Sequence, residues 1–350
     1  MASLSEQTLL VTGANGYVAG HIIKLALEKG YKVRGTVRSD ASIPKLRDTF
    51  AQYASQLTFA IVPDITKPEL YERAFESSVT GVIHTASPFV FEVKDRAKDI
   101  LEPAINGAVA ILDAVKLYGP CVRRVVTTSS FAAIIDVSLG HRPGHTYTEQ
   151  DWNPLTYEEG MSASWGAVTY TASKALAEKG MWAWMAAQDP PPPFDLTAIN
   201  PPWVFGPHVP QLDSLNGLNQ STASLRAALL DADAVPPTDF AGFVDVRDTA
   251  AAHIAALETP EAGGQRFLLG GHFDYQSAAD AVRAELPELM GRVPQGQVGK
   301  GWEEEVYEID GSKAERMLRI EYTPLAVTMR DTFLELLEAE RTGGGKPEGC

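Results

Sequence analysis

Two cysteines in 350 residues cannot build a disulfide framework, and one of them, Cys350, is the last residue. A reducing compartment, the cytoplasm, is therefore the expected location. Positive charge is also scarce: 30 Lys plus Arg against 45 Asp plus Glu give a net charge of −15. Such a surface repels nucleic acid and anionic membranes, so neither is an expected partner, although a local cationic pocket for an anionic small molecule stays open. No run approaches the roughly 18–20 apolar residues that span a bilayer. The opening MASLSEQTLLVTGANG lacks a basic segment followed by an apolar one, so no leader is expected. His84, His141, His145 and His208 lack metal-ligand spacing, and no metal is expected. No internal repeat is visible.

What is present is ordinary globular composition, 45% hydrophobic and 21% charged, in a chain long enough for one large domain or a main domain with a smaller lobe. Short apolar runs at 8–12, 32–37, 57–62, 81–86, 122–130 and 194–200 alternate with helical patterns at 16–29, 44–54, 68–75, 96–118 and 165–187. Strands alternating with helices predict βαβ units and a doubly wound parallel sheet covered on both faces. Residues 131–164 show no sustained period and are expected to be loop. Beyond 200 the pieces become irregular, with helices near 222–232, 247–258, 276–286 and 311–318 and strands near 243–246 and 266–269. The expected organisation is a dinucleotide-binding domain over 1–200, a mainly substrate-binding lobe over 201–340 with segments returning to the first domain, and a disordered tail over 341–350. "EEGMSAS" and "WEEEV" read as solvated charged faces.

"VTGANGYVAG" places Gly13, Gly16 and Ala19 at G-x-x-G-x-x-A spacing between a strand and a helix. The first glycine permits the tight turn, the second lets backbone approach a pyrophosphate, and the small third residue lets helix and strand pack closely. The helix N-terminus adds free N–H groups and partial positive charge. Gly13, Asn15, Gly16, Tyr17 and Val18 are the candidate phosphate-binding residues.

At the end of the second strand an NAD site of this kind carries an acid for the adenosine ribose, but "VRGTVRSD" offers Arg34 and Arg38, with Asp40 two residues late. A guanidinium there pairs with a 2′-phosphate through its planar fork. Arg38 falls at the strand end, Lys45 could add a second charge from the next helix, and Arg34 lies deeper with a supporting or structural role. The cofactor expected from this arrangement is NADP(H). Asp64 fits either a hydrogen bond to the adenine amino group, with Ile65 on the ring, or an exposed N-cap.

"YTASK" sets Tyr170 and Lys174 four apart on one helix face. A tyrosine serves acid–base chemistry when a neighbouring ammonium stabilises its phenolate. With "TTSS" ending a strand about 40 residues earlier, after a glycine motif, the set is specific.

From about residue 5 to 330 the chain resembles the extended short-chain dehydrogenase/reductase family, on "TGANGYVAG", "HTASP", "VVTTSS", "YTASK", "NPPWVFGP" and "VDVRDTAAAH". Within it the chain is most similar to the dihydroflavonol 4-reductase-like branch, which includes microbial carbonyl, aldehyde and methylglyoxal reductases. The resemblance implies a Rossmann fold and NADPH-dependent reduction of a small-molecule carbonyl substrate by a monomer or homodimer. It implies that Ser130, or less favourably Ser129, hydrogen-bonds the substrate carbonyl and that Tyr170 donates the proton. Tyr170 and Lys174 would also contact the cofactor, with Lys174 at the nicotinamide ribose and tuning Tyr170. Thr85, Ala86, Ser87 and Thr128 would line the cofactor, and Pro201 with Val204 would hold its carboxamide end.

"SASWGAVTY" before Tyr170 lacks the Asn-Trp-Tyr motif of cinnamoyl-CoA reductases, which speaks against a thioester substrate. Phe89, Phe91, Phe131 and Trp203 are expected either to line an apolar pocket or to be ordinary core. Alternatives on the same scaffold are an epimerase or dehydratase acting on nucleotide sugars, a hydroxysteroid dehydrogenase, and a catalytically silent NADP-sensing protein.

Overall fold

A computed structural model describes residues 3–76, 78–87, 95–303 and 305–343. In chain order the first half runs β1 (Thr8–Thr12), α1 (Tyr17–Glu28), β2 (Lys32–Val37), α2 (Ile43–Thr49), β3 (Leu57–Ile61), β4 (Val79–His84), α3 (Glu102–Tyr118), β5 (Arg124–Thr128), β6 (Thr146–Tyr147), α4 (Tyr157–Ser162) and α5 (Gly166–Ala186). The second half adds β7 (Asp195–Asn200), β8 (Trp203–Phe205), α6 (Gln220–Leu229), β9 (Gly242–Asp245), α7 (Val246–Glu258), β10 (Arg266–Leu268), β11 (Gly271–His272), α8 (Tyr275–Glu285), β12 (Glu308–Ile309), α9 (Ser312–Leu318) and α10 (Leu325–Thr342).

Seven strands form one sheet in the order β10-β7-β5-β4-β1-β2-β3, every neighbouring pair parallel. All five residues of β1 are buried, as a strand covered on both faces requires. Alternation then divides the core. Leu9 and Val11 pack with Ile22, Ile23 and Ala26 of α1 and Val246, Ala250 and Ile254 of α7. Leu10 packs with Ile111 and Val115 of α3 and Met181 of α5 on the other face. The strand order reverses between β1 and β4, and the crevice at the carboxyl ends there is the natural ligand site of an open α/β sheet.

After β7 the chain leaves the large sheet and comes back. β8, β9 and β11 make a three-stranded sheet over a second core of Phe205, Leu225, Phe273, Val282, Met329 and Phe333. In between, α7 returns to the first core and β10 pairs with β7. The smaller C-terminal layer therefore shares its backbone with the large sheet.

The structure differs from the sequence expectation at several points. Strand β4 stops at His84 because the N–H groups of Thr85 and Ala86 turn to the Thr12 hydroxyl. The helix expected from residue 96 opens with a π turn, Ala97–Leu101, where Pro103 lacks the N–H that would extend an α ladder backward. Residues 131–164 are not all loop: β6 pairs with β12, and α4 opens on a capping box between Thr156 and Glu159. Helix α10 lies beyond the last predicted element and runs to Thr342, inside the expected tail. Met329, Phe333 and Leu336 at helical spacing form its buried stripe. Among the described residues no helix is long and apolar enough to cross a membrane.

Candidate active site

Gly13 holds φ at +66°, and a Cβ added there would lie 3.1 Å from the Ala86 Cα. The turn thus needs glycine twice over, for its left-handed backbone and for the close approach of the segment after β4. That segment is pinned from the motif side. Thr12 Oγ1 accepts the backbone N–H groups of Thr85 and Ala86, each at 3.1 Å, so its own proton goes to Nδ1 of His84 at 2.9 Å. Asn15 and Gly16 are exposed at the mouth, with Gly16 as N-cap of α1 and Val18 half-buried behind it. The Tyr17 side chain turns elsewhere: its hydroxyl donates to the Gly206 carbonyl at 2.8 Å, and its ring lies 4.4 Å from that of His208. What Tyr17 offers the turn is its backbone N–H.

Arg38 stands exposed just past β2 and makes no ion pair or hydrogen bond in the described structure. Lys45 pairs with Asp213, both side chains exposed. Arg34 donates to the Arg73 carbonyl at 2.5 Å and lies 3.5 Å from Glu76, a structural role. Asp64, expected at either the adenine amino group or a helix N-terminus, is exposed and closes a local turn. One carboxylate oxygen accepts the N–H and hydroxyl of Thr66 at 2.9 and 2.7 Å, an Asx turn that holds its carboxyl below the usual range, while the following short helix is capped by Lys67. Ile65 rests half-buried against α3 at Gly107.

At the other end of the crevice Lys174 donates to the Ser87 hydroxyl at 3.0 Å and sits 5.7 Å from the centre of the Tyr170 ring. Tyr170 is 49% exposed, and its hydroxyl has no protein partner among the described residues. A cavity of about 40 Å³ lies beneath Lys174, bounded by His84, Ser87, Thr128, Ser129 and Glu178.

The two serines after β5 are in different proton states. Ser129 donates its hydroxyl proton to the Glu178 carboxylate, which can only accept. Ser130 accepts the Ala132 N–H at 3.1 Å as cap of the next turn, so its own proton is uncommitted. Pro201 and Val204 are buried, the Pro201 carbonyl accepting the Phe131 N–H at 2.9 Å. Phe131 itself is fully buried and lines no opening: the serine-capped turn folds its ring under, against Phe240, Tyr147 and Tyr307. Of the two alternatives for Phe131, core is the one observed. Trp203 is half-buried, edge-on to Phe240 at 5.4 Å. Phe89 and Phe91 lie outside the described residues.

Three participants were not found by sequence reasoning: Thr12, Glu178 and His253. Glu178 was the accessible one, since it continues the four-residue spacing of Tyr170 and Lys174. His253 on α7 is wholly buried; its Nδ1 donates to the Thr249 carbonyl and its Nε2 accepts the Thr128 hydroxyl, both at 2.7 Å. Thr128 is thus turned toward α7. Burial pushes the pKa of His253 down to about 4 and that of His84 likewise, with the Lys174 ammonium adding to the effect at His84.

This has a consequence for stability. Above the ordinary histidine value of 6.5 both rings are neutral in folded and unfolded chains. As pH falls from 6.5 toward 4 the unfolded chain takes up protons that the fold refuses. Stability is therefore lost in that window, roughly 3 kcal/mol per histidine at about 1.36 kcal/mol per pH unit. Urea unfolding should show a lower midpoint at about pH 5 than at about pH 7.5, and His253→Gln should remove part of the difference. An equal pH dependence in the variant would contradict the assignment.

Residues 9–270 match the NAD dependent epimerase/dehydratase family. The chain belongs to that family, among the extended short-chain dehydrogenases/reductases. Of its relatives in the family, the NADPH-dependent methylglyoxal reductase of Saccharomyces cerevisiae is 35% identical over 95% of this chain and 99% of that protein. A ketoreductase of Aspergillus niger is 37% identical over 97% and 99%. The crystal structure of yeast methylglyoxal/isovaleraldehyde reductase complexed with NADPH matches with a TM-score of 0.88 at 34% identity, covering 95% of this chain and 98% of that one. The expected α/β fold, a parallel Rossmann-type sheet with a smaller C-terminal region, is the fold of this family member.

Proposed function

We propose that the chain is an NADPH-dependent carbonyl reductase that converts an aldehyde or ketone to an alcohol. The observation that carries this reading is an uncommitted hydroxyl proton on Ser130, in the turn after β5, and another on Tyr170, next to Lys174 on α5. The relatives named above, both reductases and both matched over nearly their full length, support it.

The residues present fit NADP(H). The Gly13 turn has the left-handed backbone of a phosphate-binding turn. Asn15 and Gly16 lie exposed at the opening of α1, where free N–H groups suit a diphosphate, and Arg38 stands where an acid would otherwise select NAD. Arg38 would hold the 2′-phosphate, Lys174 and Ser87 the nicotinamide ribose, and Thr85 with Ala86 the wall beside it. Bound there, NADPH would supply a hydride to the substrate carbonyl carbon.

The chain's own residues handle the charge and the proton. As the carbonyl oxygen becomes negative, Ser130 and Tyr170 donate to it from fixed positions, a preorganised stabilisation that water would have to reorient to match. Tyr170 then gives up its proton, and Lys174 provides positive charge beside the ring as it does so. Residues 1–200 chiefly bind the cofactor in this account, and 201–340 mainly shape the substrate side.

The test is consumption of cofactor. Incubated with NADPH and a panel of aldehydes, aryl ketones and keto esters, the protein should oxidise NADPH in step with alcohol formation, at least about tenfold faster than NADH at low cofactor concentration. An epimerase regenerates its cofactor within each cycle and would show no net loss. Absence of turnover across the panel would overturn the reading.

A further inference from the structure

Glu178 is the most completely buried charge near the site, with 1% of its side chain exposed. It sits one helical turn past Lys174 and two past Tyr170, on the same face of α5. Its two oxygens accept hydrogen bonds from four residues on four segments. Arg266 of β10 donates from Nε at 2.6 Å and from a terminal nitrogen at 3.3 Å. Asn200, at the end of β7, donates at 2.7 Å, Trp182 at 3.1 Å, and Ser129 through its hydroxyl. The other N–H of the Asn200 amide donates to the Ser130 carbonyl at 3.1 Å, so Glu178 reaches both serines, one directly and one through Asn200. Arg266 carries the clamp onward, donating to the Glu149 and Asp151 carbonyls at 2.6 and 2.8 Å with its guanidinium 3.5 Å from the centre of the Trp152 ring.

We infer that Glu178 is a positioning residue for the reaction: it locks the helix bearing Tyr170 and Lys174 to the serine turn, and it ties up Ser129 so that Ser130 is the serine with a proton to give. This rests on the reductase reading. A full negative charge is needed because only a carboxylate accepts from all five donor groups at once; an amide at this position would set an N–H against one of them. The cost of burying that charge is offset by Arg266, and together they make a rigid joint rather than a source of net stability. Rigidity matters because hydride transfer depends on the relative placement of donors and carbonyl, and about 1 Å of slack costs on the order of a hundredfold in rate.

The experiment compares Ser129→Ala, Ser130→Ala and the double variant Glu178→Gln/Arg266→Met, which removes both buried charges so that folding is not lost to an unpaired one. Melting temperature, NADPH KM and kcat are measured for each. Ser129→Ala should lower kcat about tenfold with NADPH KM within about twofold of wild type, a KM-against-kcat split that general loosening would not give. Ser130→Ala should lower kcat by at least about a hundredfold. The double variant should melt within a few degrees of wild type and still show kcat down by about tenfold or more. Wild-type kcat in Ser129→Ala, a larger loss there than in Ser130→Ala, or full kcat in a stable double variant would each overturn the inference while leaving the reductase reading intact. A wild-type protein that reduces no carbonyl would remove that reading and this inference with it.

Discussion

Tyr170→Phe is expected to lower kcat for NADPH-driven carbonyl reduction by about 100- to 10,000-fold, the range assigned to a positioned general acid. The change deletes one oxygen from a side chain that is half-exposed and makes no protein hydrogen bond among the described residues. Nothing in the fold depends on that oxygen, so the melting temperature should stay within about a degree or two of wild type. NADPH affinity should change little, since Lys174 keeps its bond to Ser87. What is lost is the proton for the developing alkoxide, which leaves Ser130 as the remaining donor. A stable, cofactor-binding variant with wild-type kcat would refute the role of Tyr170.

Arg38→Ala addresses the other end of the crevice. It should raise the NADPH KM about 10- to 100-fold and leave the NADH KM within about twofold, as loss of a charge-assisted bond to a phosphate predicts. Arg38 is the residue to test because it is exposed and unpaired, whereas Lys45 is held by Asp213. That pairing is invisible in sequence because Asp213 lies 168 residues further on, and both side chains remain exposed. At saturating NADPH the variant's kcat should approach wild type, since the phosphate is far from the reacting carbon. Equal effects on both cofactors would mean that Arg38 does not discriminate between them.

Local signals explain what the sequence made legible. A glycine with φ of +66° between a strand and a helix announces itself, and so do a tyrosine and a lysine four apart on one helix. The alternation of strand and helix was enough to anticipate the parallel sheet. What stayed hidden depends on contacts between distant segments. Thr12 reads as the end of a strand, yet its hydroxyl organises a segment 73 residues away. Glu178 reads as one more charge on a helix, and its burial appears only when β7 and β10 close over it. Phe131 follows a candidate catalytic serine and invites a pocket assignment, but the Ser130 cap reverses the chain and buries the ring. Helix α10 is a different case, because its stripe of Met329, Phe333 and Leu336 is a local pattern legible in the sequence.

The central claim is that a hydride leaves the cofactor and ends on the carbonyl carbon of the substrate. It is tested most directly by running the reaction with NADPH carrying deuterium in one or the other of the two positions at C4 of its nicotinamide. One of the two labelled forms should deliver its deuterium to the carbinol carbon of the alcohol, one deuterium per NADP formed, and the other should deliver none. Alcohol that carries no deuterium from either form, or substrate that changes while the cofactor stays reduced, would contradict the account.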